Sequence, residues 1–230
     1  MLYLIPVPIS ENALHTLPEY VLDTVRRLDY FVVERAKTAR HFVKSTGPLK
    51  TMQELYFEEI PQEGGLGEAE AFFKKAVAEG HDVGLLSEAG CPGVADPGAA
   101  LVALAHRMGV SVKPLVGPSS LLLALMASGM NGQKFMFHGY LPAKRPELGP
   151  ALKRVEMMAK RDGATQLFIE TPYRSGMVLD VALEVLQPDT TFGVMQDLTG
   201  ENEMILVKRV HEWRKKPPVL GKLPGVFLVG

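Results

Sequence analysis

The sequence predicts an α/β protein with an open parallel sheet in its first half and a mixed sheet in its second. Short apolar runs, typical of strands buried on both faces, alternate with segments whose apolar residues recur at helical spacing. Such alternation produces a mostly parallel sheet with helices on both faces. The 230 residues, 47% of them apolar, are enough to fill the cores that this architecture needs.

The first half divides into strands and helices in regular order. Strands are predicted at residues 2–7, 29–34, 82–87 and 110–116, and helices at residues 17–28, 36–45, 68–79 and 98–108. Gly80 and Gly109 end two of these helices, because glycine commonly terminates a helix. Residues 47–67 have no clean period, and within them "EGGLGE", which begins at Glu63, is predicted as a mobile loop; whether residues 58–67 form a substrate lid stays open.

The second half does not repeat the pattern of the first. A helix is predicted to begin near Ser119, with later helices at 146–161 and 175–186 and strands at 134–139, 164–170 and 190–196. Two further strand candidates, at 203–210 and 225–230, follow each other without a helix of credible length, which predicts antiparallel pairing. We therefore divide the chain into an N-terminal α/β domain, residues 1–116, and a C-terminal α/β domain, residues 117–230.

Composition limits the environment and the partners of the protein. The 25 Lys and Arg nearly balance the 26 Asp and Glu, so only a local basic face could attract a polyanion. A single cysteine, Cys91, excludes an internal disulfide and suits a reducing compartment. The N-terminus lacks the features of a signal peptide, and the longest apolar run, residues 121–130, is shorter than the roughly 20 residues that cross a bilayer. We expect a cytoplasmic protein without a membrane partner.

The unusual loops fall at the carboxyl ends of predicted strands, where α/β sheets bind ligands. They are "PVP", "SEAGCPGVADPG" at 87–98, "VGPSS", "GYLP" and "ETPYR". Glycine permits close backbone approach and proline fixes φ, so these turns are predicted to form a rigid floor for a flat ligand. Ser119 and Ser120 would lie at a helix N-terminus, either as simple caps or as partners of ligand oxygens.

Other motifs leave alternatives open or exclude a class of site. Cys91 is a candidate nucleophile, but no histidine is close in sequence, and a small loop residue is the preferred interpretation. The histidines have no metal-ligand spacing, so we expect no metal. The basic segment 207–216 is either a solvated edge or a strip that contacts phosphates. No glycine-rich dinucleotide or triphosphate loop is present.

The loops "LYLIPVPIS", "LLSEAGCPGVADPG", "PLVGPSSLLLALMASGM", "FHGYLPAK" and "ETPYR" together resemble the tetrapyrrole methylase superfamily of S-adenosylmethionine-dependent methyltransferases. Within it, the chain is most similar to the branch that methylates a cytidine ribose 2′-hydroxyl of small-subunit ribosomal RNA. The resemblance implies two α/β domains with S-adenosylmethionine in the cleft between them, and a homodimer. It places cofactor contacts on Pro8, Gly90, Cys91, Val94, Ser119 and Ser120. Asp96 would either touch the cofactor or cap the following helix.

The segments expected to face the substrate depart from the pattern of that branch. In "ERAKTAR" the chain keeps Glu34 and Arg40, which we predict to be substrate residues, but has Arg35 and Lys37 where the branch has an acid and an arginine. Residues 54–65 and the "DLTG" segment also differ. The acceptor is therefore left open: ribosomal RNA or the ribosomal subunit is favoured over another RNA, a small tetrapyrrole-like molecule or a protein.

No strong acid or base is obligatory for methyl transfer from a sulfonium, because the protein mainly has to align the acceptor with the methyl group and exclude water from the cleft. The strand-end carboxylates Glu88, Asp96 and Glu170 are the candidates for a catalytic base. Arg174 is a candidate for holding an anionic substrate or, equally, a structural ion pair. The second functional class is a non-catalytic module that binds S-adenosylmethionine on the same fold.

Overall fold

A computed structural model describes residues 1–61 and 63–230 and separates them into two compact units. Unit 1 is Met1–Ser119 and unit 2 is Ser120–Gly230. Among the described residues, no helix is both long and apolar enough to span a membrane. Each unit has its own five-stranded sheet and its own buried core, and each is described separately below.

Unit 1 contains the predicted parallel sheet. Its strands are β1 (Leu2–Ile5), β2 (Tyr30–Val33), β3 (Tyr56–Glu59), β4 (Val83–Leu86) and β5 (Val112–Pro114). They lie in the order β3-β2-β4-β1-β5, and every neighbouring pair is parallel. Pro114 is tolerated because β5 lies at the edge, where a missing backbone donor leaves no ladder bond broken on the outer side.

The helices of unit 1 cover both faces of this sheet. They are α1 (Glu19–Arg27), α2 (Ala36–Ser45), α3 (Glu68–Ala78) and α4 (Ala99–Arg107), with a short 3₁₀ turn at Leu14–Thr16. Consecutive residues of β2 belong to cores on opposite faces of the sheet. Phe31 packs with residues of α1 and α2, and Val32 packs with residues of α3 and α4. This two-sided burial explains why β2 and β4 are continuous apolar runs.

Strand β3 lies in the segment 47–67, where the sequence has no clean period and predicts no strand. Its four residues are "YFEE", and two acids in so short a run hide the strand pattern. Ring stacking on the neighbouring strand β2 stabilises β3. Tyr56 stacks on Tyr30 at 4.8 Å between ring centroids, and Phe57 stacks on Phe31 at 5.0 Å. Gln62, inside the segment 58–67 considered as a substrate lid, lies outside the described residues.

Unit 2 contains the predicted mixed sheet. Its strands are β6 (Phe135–Tyr140), β7 (Thr165–Glu170), β8 (Thr191–Gln196), β9 (Met204–Arg209) and β10 (Gly225–Val229). The order is β6-β7-β10-β8-β9, with only the β6–β7 pair parallel. Its helices are α5 (Ser120–Ser128), α6 (Arg145–Asp162), α7 (Ser175–Val185) and α8 (Val210–Lys215). Phe168, Phe192, Phe227 and Trp213 are fully buried in its core.

The two tail strands do not pair with each other, which corrects the prediction. Strand β10 inserts between β7 and β8, antiparallel to both, while β9 pairs with β8 at the edge of the sheet. All five residues of β10 are buried, whereas no residue of β9 is fully buried and three of its six are exposed. A strand apolar on both faces is stabilised most in the middle of a sheet, so burial rather than sequence order decides the neighbour.

Candidate functional site

Three loops of unit 1 meet at the carboxyl edge of the parallel sheet. Val7, after β1, and Gly90, after β4, exchange two backbone hydrogen bonds of 2.9 and 3.1 Å. Gly90 has a φ of +73°, and a Cβ there would lie 3.5 Å from the carbonyl oxygen of Pro118, after β5. Cys91 Sγ donates to that same oxygen at 3.4 Å. The structure therefore brings predicted residues Gly90 and Cys91 together with Pro8, which directly follows Val7.

The loop 91–98 is folded around Asp96. Its Oδ1 accepts backbone N–H groups from Gly93 at 2.8 Å and Gly98 at 2.7 Å. Gly98 immediately precedes α4, so Asp96 holds the loop and at the same time accepts an N–H group at the start of that helix. Burial raises the pKa of the Asp96 carboxyl, and the two backbone donors oppose this rise.

One oxygen of Asp96 is left for a further donor. Asp96 Oδ2 is buried and has no hydrogen-bond partner within the part of the chain that the structure describes. An unpaired buried acceptor costs free energy, and such groups concentrate at functional sites. Val94, two residues earlier, is 49% exposed and presents an apolar surface in the same loop. The loop thus combines a polar acceptor with an apolar contact.

A group of carboxylates extends this edge to β2. Glu34, directly after β2, accepts the backbone N–H of Glu88 at 2.9 Å. Glu88 Oε1 lies 3.3 Å from Arg35 Nε and also accepts the Thr38 hydroxyl at 3.3 Å. Burial, followed by the charges of Glu88 and Asp96, raises the pKa of Glu34, while the Glu88 N–H and Arg35 lower it. Like charges are therefore held close together at the strand ends.

A pocket of about 620 Å³ opens beside these carboxylates. Its walls are the loop after β1, one face of α2 and the first residues after β4. Its volume is within the range of small-molecule and nucleoside sites. The lining includes the predicted residues Pro8 and Glu88, and it also includes Ser10, Glu11, Asn12, Thr38, His41, Phe42, Ser45 and Ser87.

Sequence reasoning missed the contribution of α2 to this pocket. Thr38, His41, Phe42 and Ser45 recur at the spacing of one helix face, and that spacing was the signal available. Arg40, the residue predicted on this helix, does not line the pocket. Its guanidinium instead lies 4.9 Å from the centre of the Phe57 ring.

The remaining predicted residues belong to other places in the fold. Ser119 ends unit 1 and Ser120 is the first residue of α5, so both lie at a helix N-terminus as predicted. In unit 2, Glu170 is buried, and its Oε1 accepts Arg174 Nε at 2.9 Å, Arg174 Nη2 at 2.6 Å and the Thr171 N–H at 2.6 Å. The structural ion pair, which the sequence left open for Arg174, is the arrangement observed. The role of Glu170 as a candidate catalytic base stays a prediction.

Comparison with known proteins decides the family. The family described as Tetrapyrrole (Corrin/Porphyrin) Methylases matches residues 1–213. The chain belongs to this family. The predicted family is thereby confirmed, and because the family is one of methyltransferases, the predicted enzyme class is confirmed as well.

Curated relatives of this tetrapyrrole methylase carry one name. It is 34% identical over 198 residues to "Ribosomal RNA small subunit methyltransferase I" of Mesorhizobium japonicum, covering 86% of this chain and 63% of the relative. It is 32% identical over 235 residues to the protein of the same name from Micromonospora olivasterospora, covering 99% of this chain and 69% of the relative. The chain thus spans about two thirds of the length of these relatives.

Solved structures agree with the fold of this tetrapyrrole methylase. The crystal structure of the methyltransferase CobJ has a TM-score of 0.65 at 20% identity, covering 100% of this chain and 93% of that one. The uroporphyrin-III-C-methyltransferase from Thermus thermophilus has a TM-score of 0.57 at 14% identity, with the same coverage. The predicted α/β fold of the tetrapyrrole methylase type is confirmed.

Proposed function

We propose that this protein transfers a methyl group from S-adenosylmethionine to RNA, with a ribose 2′-hydroxyl of small-subunit ribosomal RNA as the acceptor. The observation that carries the proposal is the alignment over 99% of the chain, at 32% identity, with a relative named for methylation of that RNA. The pocket beside a carboxylate-rich strand edge supports the same proposal, because an acceptor hydroxyl needs both a cavity and a proton acceptor.

The loop after β4 fits S-adenosylmethionine. Gly90 leaves its surface free of a side chain, Val94 offers an apolar contact, and Asp96 Oδ2 is a buried acceptor with no partner among residues 1–61 and 63–230. We assign the cofactor to Pro8, Gly90, Cys91, Val94, Asp96, Ser119 and Ser120. Bound S-adenosylmethionine supplies the methyl group. Burial raises the pKa of Cys91, so the thiol stays protonated and acts as a contact, not as a nucleophile.

The acceptor hydroxyl is assigned to the pocket between α2 and the loop after β1. Glu88 is the one candidate base that lines this pocket, and the Thr38 hydroxyl and Arg35 Nε fix the position of its Oε1. We assign Glu88 as the group that accepts the hydroxyl proton. Glu34 holds the Glu88 backbone and is assigned, with Arg40, to the substrate side.

Two measurements test this function. Calorimetry with S-adenosylmethionine and S-adenosylhomocysteine is expected to give saturable heat with both, and no heat with either would exclude the cofactor. Mass spectrometry of ribosomal RNA, with and without the gene, is expected to show loss of one 2′-O-methyl mark. An unchanged modification map would exclude the ribosomal acceptor.

A variant tests the role of Glu88 within that function. We expect Glu88→Gln to lower kcat by about 10²- to 10⁴-fold, the usual contribution of a general base, while the heat of S-adenosylmethionine binding is unchanged. The matched variant Glu147→Gln changes an exposed carboxylate on α6 and is expected to keep full activity. Equal activity of both variants would remove Glu88 from the reaction.

We further propose that the protein acts in the cytoplasm as a homodimer. The single cysteine supports a reducing compartment, and the family resemblance supports the dimer. Light scattering of the purified protein tests the second part, and a monomer mass across the working concentration range would refute it.

A further inference from the structure

Helix α2 presents a row of basic side chains on its exposed surface. Lys37, Arg40, His41 and Lys44 follow one another at positions i, i+3, i+4 and i+7, so they share one face of the helix. All four residues are exposed. We call this row the α2 stripe.

The charge of the α2 stripe is not balanced by its surroundings. From residue 35 to residue 50 the sequence has Arg35, Lys37, Arg40, Lys44 and Lys50 and no Asp or Glu. Within the described part of the chain, Lys37, Arg40 and Lys44 form no ion pair. The nearby carboxylates are engaged at the start of the helix, because Glu59 accepts the Ala36 N–H and Glu88 lies against Arg35. Lys74 on α3, by contrast, pairs with Glu70 one turn away.

Helix stability does not explain the position of Lys37. The first turn of α2 contains Lys37 and no acidic residue. A cation near a helix N-terminus opposes the helix dipole, and it costs rather than contributes stability. Lys44, in the last turn, suits the dipole, so helix stability accounts for one end of the α2 stripe and not for the other.

The α2 stripe runs along the rim of the pocket. Thr38, Phe42 and Ser45 of the same helix line the cavity, and His41 belongs both to the lining and to the stripe. A ligand in the pocket therefore has basic groups directly beside it. At a rise of about 1.5 Å per residue, Lys37 and Lys44 lie about 10 Å apart along the helix, a span that reaches more than one phosphate.

Three basic residues of the other basic segment, residues 207–216, already have contacts within the protein. Arg214 donates from Nε to the Leu183 carbonyl at 2.7 Å and from Nη2 to the Leu186 carbonyl at 2.8 Å, which satisfies the end of α7. Arg209 donates to the Asp189 carbonyl, and Lys208 lies 5.7 Å from the Trp213 ring centre. These contacts account for three of the segment's basic residues. In the α2 stripe, Arg40 has a similar contact with Phe57, but no contact of this kind occupies Lys37 or Lys44 within the described residues, and the stripe borders a cavity.

We propose that the α2 stripe binds the sugar–phosphate backbone of the RNA that flanks the nucleotide in the pocket. This inference rests on the proposed function, because it requires an RNA acceptor. Phosphate contacts fix the register of a nucleic acid without reading its bases, and an enzyme acting on one nucleotide needs that register. Because the charges of the whole protein nearly cancel, the attraction is local and short-ranged.

The test compares two double variants of the full chain. K37E/K44E reverses both lysines of the α2 stripe. K153E/K222E makes the same change of charge at exposed lysines of unit 2 that have no ion pair among the described residues. Binding of a labelled RNA hairpin is measured by fluorescence anisotropy at several salt concentrations, and S-adenosylmethionine binding by calorimetry.

We expect K37E/K44E to weaken RNA binding at least about tenfold and to lower the salt dependence by about two phosphate contacts. Its heat of S-adenosylmethionine binding and its Tm should match the control, because an acid at position 37 favours the helix dipole while an acid at position 44 opposes it, and the two effects offset each other. Equal RNA affinity and equal salt slope in the two variants would overturn the inference. So would a wild-type protein that binds a carboxylated tetrapyrrole but not the RNA.

The outcomes also separate this inference from the proposed function. A wild-type protein that binds no S-adenosylmethionine refutes the proposed function, while the RNA titrations still report on the α2 stripe. If the protein binds the cofactor and K37E/K44E leaves its RNA affinity unchanged, the proposed function stands and the inference about the α2 stripe is refuted.

Discussion

Three carboxylates lie at one strand edge of unit 1, and each is held differently. Asp96 is fixed by two backbone donors, Glu88 by Arg35 and Thr38, and Glu34 accepts one backbone N–H while two like charges stand near it. Gathering negative charge in this way lowers stability. Groups with perturbed pKa values in such clusters are typical of functional sites, which is why we place the chemistry here.

Glu34→Gln should make stability less dependent on pH. The pKa of Glu34 is raised above its ordinary value of 4.5, so the folded protein binds this proton more tightly than the unfolded chain does. Stability is therefore lost as pH rises from the ordinary value through the raised pKa. We expect a higher Tm than wild type near neutral pH and no difference below pH 4.5. Glutamine keeps an oxygen for the Glu88 N–H, so a lower Tm at neutral pH would contradict the assignment.

Arg174→Ala should destabilise unit 2. The change leaves Glu170, whose side chain is 1% exposed, without its charged partner. We expect a loss of about 3 kcal/mol, at the lower end of the range for buried pairs because Arg174 is 27% exposed. Chemical denaturation measures the loss. The adjacent Tyr173, 86% exposed, is the control, and Tyr173→Ala should stay within about 0.5 kcal/mol of wild type. Recovery in the double variant E170Q/R174A would confirm that the unpaired carboxylate is the cause.

At the scale of elements, the sequence was informative wherever burial alone shapes a segment. Strands β2 and β4 and helix α2 are predicted to within a residue or two, because their apolar pattern follows from the core that they face. Strand β3 and the neighbours of β10 could not be predicted in this way. Both depend on which distant strand offers a partner, and a single sequence does not contain that information.

Phe227→Ala tests the central position of β10. The ring is fully buried and stacks on Phe168 at 5.2 Å, so truncation should cost about 3–5 kcal/mol. Ile205→Ala, on edge strand β9 at 39% exposure, should cost no more than about 1 kcal/mol. Denaturation of both variants measures the difference. Equal losses would mean that β10 does not lie between β7 and β8.

At the scale of the whole molecule, balanced charge conceals a separation of charge. The chain carries 25 basic and 26 acidic residues, yet carboxylates gather at the strand ends of unit 1 and unpaired cations gather along α2. The nearly zero net charge by itself predicts no affinity for nucleic acid. The fold creates a local basic surface by placing one helix beside one pocket, and composition could not have revealed it.

Ligand binding should stabilise the whole molecule against unfolding, and the Asp96 carboxylate should determine how tightly the ligand binds. A ligand that binds only the folded state at about 100 times its Kd adds about 2.7 kcal/mol, so S-adenosylhomocysteine is expected to raise Tm with the logarithm of its concentration. Asp96→Asn keeps an oxygen that can hold the loop but turns the other oxygen into a donor. We therefore expect the ligand-free Tm to change little and roughly tenfold more ligand to be needed for an equal shift. Asp180→Asn, an exposed position on α7, should behave as wild type. Identical ligand curves for the two variants would remove Asp96 from the cofactor site.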